Sequence, residues 1–167
     1  MFLTDTCFWN HIRFLYQETN KKIDFRKIIY QYRWGITKEI LKEIQNYQLN
    51  SFIDINGAVK ITISENEWKT FTRKYSFLSD LDRADQSLLL VAQREKAVIL
   101  SDDGELFLES QALKIDCLLL PLFLIQQIRM GMISKKNFSQ CLRFWEKRRS
   151  YAKKQIEKWK GILTEIT

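Results

Sequence analysis

The stretch "AVILSDDGELF", Ala97 to Phe107, runs an apolar segment straight into two adjacent carboxylates, Asp102 and Asp103. A second apolar run, "MFLTD", ends the same way at Asp5. Short, continuous apolar runs of this kind predict strands of a parallel sheet buried on both faces. Ligands of such sheets bind beyond the carboxyl ends of the strands, so these acids are expected to share one edge. Carboxylates gathered there repel one another unless a cation sits among them. Hard oxygen donors without thiolate or imidazole select Mg²⁺ or Mn²⁺ over zinc. The chemistry that follows is metal-assisted phosphodiester hydrolysis.

The elements that would position these acids alternate between helix and strand. "TCFWNHIRFLYQ" carries Phe8, Ile12, Leu15 and Tyr16 at helical spacing. "KIIYQYRW" suits either a helix or a strand. "ITKEILKEIQNY" predicts a helix capped by Thr37, with Glu39 and Glu43 along it. "AVKITIS" alternates like a strand, and "NEWKTFTRKYSFL" predicts a helix. In "SDLDRADQSLLLVAQREK", Ser79 or Asp80 offers a cap, and Asp85 falls in the first turn. "DDGELFLESQAL" reads as a short helix and "KIDCLLL" as a buried strand stopped by Pro121. This alternation predicts an α/β fold with a parallel sheet and right-handed crossovers. Topology alone places neither Asp85 nor Glu43 beside the other acids.

The 167 residues suit one principal core. Cys7, Cys117 and Cys141 are scattered, and His11 is the single histidine, which argues against a disulfide framework or a zinc site. The expectation is a reducing, cytoplasmic setting with buried thiols. "MFLTDTCFWN" lacks the basic start of a signal peptide. "CLLLPLFLI" is far shorter than the about 20 residues a membrane span needs, so no membrane association is expected. His11 is assigned no role.

"FLTDT", "ITKEILKEI", "RADQSLLLVAQ" and "VILSDDGEL" occur in an order and spacing that resemble PIN-domain nucleases, over about residues 2–120. The resemblance implies a three-layer sandwich, a central parallel sheet flanked by helices, with four acids converging on one metal site. Carried over by position, those acids are Asp5, Glu43, Asp85 and Asp103. Asp5, Asp85 and Asp103 would ligate Mg²⁺ or Mn²⁺, and Asp102 competes with Asp103 as a ligand. Glu39 competes likewise with Glu43, and Asp82 with Asp85. Thr6 matches a supporting hydroxyl residue, and Ser101 stands where the family usually has Thr. The implied activity is an endoribonuclease acting on single-stranded or structured RNA, with tRNA and mRNA as candidates. Many such proteins are toxins of toxin–antitoxin pairs, which makes an antitoxin protein an expected partner. The rival expectation is a non-catalytic PIN-like module that binds RNA or protein. Taken singly the acids have blander roles, Asp85 at a helix start and Asp102 or Asp103 as a turn residue or cap.

The net charge of +7 belongs to the C-terminal segment, because residues 1–134 hold 17 basic and 17 acidic side chains. Ten Lys/Arg fall between Lys135 and Lys160, a concentration that attracts polyanions. Residues 1–134 are therefore read as the nuclease-like domain and 135–167 as a basic amphipathic extension. Phe138, Leu142, Trp145, Arg149, Ala152, Ile156, Trp159 and Leu163 form a helical seam that only Arg149 interrupts. One long helix of about 25 residues, near 40 Å, is expected. It could cover the sheet, guide RNA, or pair with an antitoxin or a second copy.

Overall fold

The computed structural model describes residues 1–19 and 21–166. Five short strands form one all-parallel sheet: β1 (Phe2–Thr4), β2 (Trp34–Thr37), β3 (Val59–Ile61), β4 (Val98–Leu100) and β5 (Cys117–Leu118). Their spatial order is β3-β2-β1-β4-β5. β1 is central, with Leu3 opposite Gly35 on one side and Ile99 on the other. Leu3, Ile36, Ile99 and Leu100 are buried, as apolar runs in a doubly covered sheet must be. Flanking helices make the architecture an α/β arrangement consistent with three layers.

The helices are α1 (Thr6–Glu18), α2 (Arg26–Ile29), α3 (Lys38–Asn46), α4 (Glu65–Lys74), α5 (Arg83–Glu95), α6 (Gly104–Ala112), α7 (Leu120–Arg129), α8 (Lys135–Arg148) and α9 (Lys153–Glu165). Thr37 caps α3 by accepting the Ile40 N–H at 3.2 Å. The cap of α5 is Asp82, which accepts the Asp85 N–H, rather than Ser79 or Asp80; those two residues lie in a preceding 3-10 turn. Residues 27–34 resolve into the end of α2, a turn, and the first residue of β2.

The single long C-terminal helix does not form. α8 ends at Arg149, which takes a left-handed conformation (φ 55°), and α9 starts afresh at Lys153. Arg149 is the residue that interrupts the apolar seam, so the seam is two faces that fold together. Trp145 lies 6.1 Å from the Trp159 ring, and Tyr151 in the connection stands edge-on to both. Phe138, Leu142, Trp145, Ile156 and Trp159 are buried and join the same core as the sheet.

Gly35 of β2 lies close against β3. A Cβ there would meet Ile61 Cδ1 at 2.8 Å and the Val59 carbonyl oxygen at 3.1 Å. The side chain can shift, but the carbonyl belongs to a paired strand and cannot. Gly35→Ala is expected to cost about 1–3 kcal/mol, the usual range for overpacking. Urea unfolding at neutral pH checks it, with a lowered midpoint and an unchanged slope as the expected result.

Candidate functional site

The chain runs from β1 to β2 to β3 toward one edge of the sheet, then crosses back to build β4 and β5 on the other. The carboxyl ends of β1 and β4 therefore flank the point where the winding direction changes, where such sheets open a crevice. Asp5 and Ser101 leave the two strands there. The Ser101 hydroxyl donates to Asp5 Oδ2 at 2.6 Å and accepts the Asp103 N–H at 2.9 Å. Asp5 Oδ1 caps α1 by accepting the Thr6 N–H at 2.5 Å. One serine thus ties the Asp5 carboxylate at the end of β1 to the backbone of Asp103 beyond β4.

Three helices bring the remaining acids. The Thr6 hydroxyl donates to Glu43 Oε2 at 2.7 Å, drawing α3 against the start of α1. The Thr37 and Ser87 hydroxyls lie 2.6 Å apart in the interior and join the start of α3 to α5. Asp82 Oδ1 accepts the Asp85 N–H at 2.9 Å, so both face the same opening. Asp103 Oδ1 caps α6 through the N–H groups of Glu105 and Leu106, at 2.8 and 2.9 Å. The cap role foreseen for it and a place in the cluster are compatible.

The result is a cavity of about 200 Å³ lined by Asp5, Glu43, Asp82, Asp85 and Asp103 with Thr6, Cys7, Asn10 and Tyr47. No Lys, Arg or His is among these residues, and the electrostatics follow from that. Burial, opposed by the Ser101 and Thr6 bonds, pushes the Asp5 carboxyl up to about 6. Burial and the charges of Asp5, Asp82, Asp103 and Glu43 push Asp85 up to about 8. Glu43 is also raised, chiefly by burial. The Cys7 thiol is pushed up to about 12 by burial and the charges of Asp5, Asp103, Asp102 and Asp85, so it stays protonated and is a poor nucleophile.

Four sequence-predicted acids, Asp5, Glu43, Asp85 and Asp103, are brought together, and Glu39 is absent from the lining while Asp82 is present. Asp102, expected as an alternative metal ligand, is not in the cavity. Its side chain is fully buried, with Oδ2 at 2.5 Å from His11 Nδ1 and Oδ1 accepting the Leu120 N–H at 2.9 Å. It anchors the loop after β4 to α1 and α7, which gives His11 a partner that the sequence left unassigned. Asn10 and Tyr47 were missed. Asn10 lies one helical turn beyond Thr6, a spacing that could have flagged it, whereas nothing local points to Tyr47.

The donor set suits a hard divalent cation in chemistry and charge: carboxylate and hydroxyl oxygens, three carboxyls held above their ordinary range, and no competing basic group. Among the described residues, no three His, Cys, Asp or Glu side chains are already gathered closely enough to enclose an ion. The arrangement is an open acidic cup rather than a preformed cage. No helix is long and apolar enough to cross a membrane among the described residues. Comparison of the chain with protein-family models, curated proteins and solved structures gave no match.

Proposed function

We propose that this chain is a PIN-like endoribonuclease that hydrolyses RNA phosphodiester bonds with Mg²⁺ or Mn²⁺. The observation that carries the reading is the convergence of Asp5, Glu43, Asp85 and Asp103 on one cavity at the switch point of the sheet. Asp5, Asp85 and Asp103 would hold the ion, with Glu43 as a further ligand or acting through water. A divalent cation held there would supply a water of lowered pKa and positive charge against the charge that develops on the phosphate. The chain's own residues supply orientation: Ser101 fixes Asp5, Thr6 fixes Glu43, and Asp103 is held by the start of α6. A cytoplasmic location, a homodimer and an antitoxin partner belong to the same proposal and rest on the family resemblance and composition.

A second reading has its own support. Asp5 has both oxygens engaged within the protein, and the carboxylates do not yet enclose an ion. That would suit a non-catalytic PIN-like module that binds RNA or protein. Incubation of labelled total RNA with the purified chain in Mn²⁺, Mg²⁺ or EDTA decides between them. Discrete cuts are expected with either ion, lost in EDTA and in an Asp5→Asn/Asp103→Asn variant. No cutting by folded protein at any metal concentration would leave the binding module.

A further inference from the structure

The rim of the acid cavity carries an aromatic ring that does no work in the core. Tyr47, at the C-terminal end of α3, lines the cavity yet is 57% exposed and stands outside the packed apolar cluster. Beside it lies Arg13 of α1. Its Nη2 donates to Asn10 Oδ1 at 3.0 Å, its Nη1 to the Tyr47 carbonyl oxygen at 3.3 Å, and Asn10 also lines the cavity. Among the described residues Arg13 has no carboxylate partner, in a neighbourhood that holds five carboxylates. Bridging α1 to the end of α3 occupies two of its N–H groups and leaves the charge unneutralised.

These two groups have complementary uses. An acidic cavity repels a polyanion, so a strand reaching it needs a cation at the entrance. An exposed ring at the same entrance offers a surface on which any unpaired base can stack. A base inside a duplex already has both faces covered, and a cavity of about 200 Å³ admits a phosphate group but no helix. We infer that Tyr47 and Arg13 form a platform for one unpaired nucleotide, its base on the Tyr47 ring and its phosphate at Arg13, so that the site takes single-stranded RNA and rejects duplex. The inference deepens the nuclease reading and rests on it for the substrate class.

The test is fluorescence anisotropy of a labelled oligouridine and of a blunt RNA duplex, with Ca²⁺ in place of Mg²⁺ and strand integrity checked on a gel. Tyr47→Ala is expected to weaken single-strand binding about tenfold, within the span of one base stacked on one ring. Tyr47→Phe keeps the ring and should stay within about twofold of the unsubstituted chain on the same stacking argument. Arg13→Gln should flatten the salt dependence by about 0.7 in the logarithmic slope, one phosphate contact on a single strand. Duplex binding should be weak and insensitive to all three substitutions. Tyr47→Ala binding like the unsubstituted chain, with an unchanged circular dichroism spectrum, would overturn the platform, as would equal affinity for duplex. Cleavage assays on the same proteins separate the two claims. Tyr47-dependent binding without any cutting sinks the nuclease and keeps the platform; cutting with an unchanged KM in Tyr47→Ala does the reverse.

Discussion

Asp85→Asn is expected to raise the melting temperature of the metal-free protein at pH 8 while lowering RNA cleavage by more than the roughly 10–100-fold that losing an outer-shell partner costs. The two effects share one cause. Burial and four neighbouring acids hold the Asp85 carboxyl at about 8, against 3.8 for the ordinary group. Between those values the folded chain keeps a proton that the unfolded chain has released. The stability this confers is fully present below about pH 4 and is lost as pH rises through about 8. Asparagine carries no charge to bury, so the gap between variant and parent should be near zero at low pH and widen to its maximum near pH 8. A saturating divalent cation, at about 100 times its Kd, should return about 2.7 kcal/mol to the parent and little to the variant. Thermal unfolding at three pH values, with and without Mn²⁺, checks this. A gap that does not change with pH would mean that Asp85 carries no buried charge.

Trp145→Ala is expected to be the most damaging single change to the fold, at about 3–5 kcal/mol. The side chain is fully buried and touches the Phe138, Tyr151 and Trp159 rings, with centroids 5.9, 5.3 and 6.1 Å away. Removing it empties the centre of the α8–α9 seam. For a chain of this length each kcal/mol moves the midpoint by about 2–4 °C, so a loss on the order of 10 °C should be seen by circular dichroism. Trp145→Phe keeps most of the ring volume and discards an indole N–H that has no partner, so it should cost far less. Equal losses for the two variants would mean that ring volume is not what holds α9 in place.

The parts of the site legible in the sequence were those that a strand delivers directly. "MFLTD" and "AVILSDD" announce their edge because an apolar run has to end where the sheet ends, and Asp5 and Asp103 lie there. Asp85 and Glu43 sit on helices, whose placement over the sheet is a tertiary matter that no local pattern encodes. Only the PIN resemblance linked them to the other acids. Asp102 was misread because two adjacent aspartates look alike in one dimension, while their surroundings differ completely in three. The long helix was misread for a related reason. Its alternating steps of four and three continue across Arg149, and a single residue in the left-handed conformation ends the helix without altering that rhythm. "KIIYQYRW" was ambiguous because its isoleucines, Ile28 and Ile29, belong to a short helix while its last residue, Trp34, begins β2.

The pairing of Asp102 with His11 also bears on how such a chain could change over generations. Two identical neighbours carry separate burdens, one tying the loop to the body and the other facing the cup. A lineage released from any need for cutting would be free to let Asp103 drift, because an asparagine can still cap α6. It would remain bound to Asp102, whose loss strands the partly exposed His11 and the start of α7. In a silenced descendant the second letter of the "DD" pair should therefore erode first.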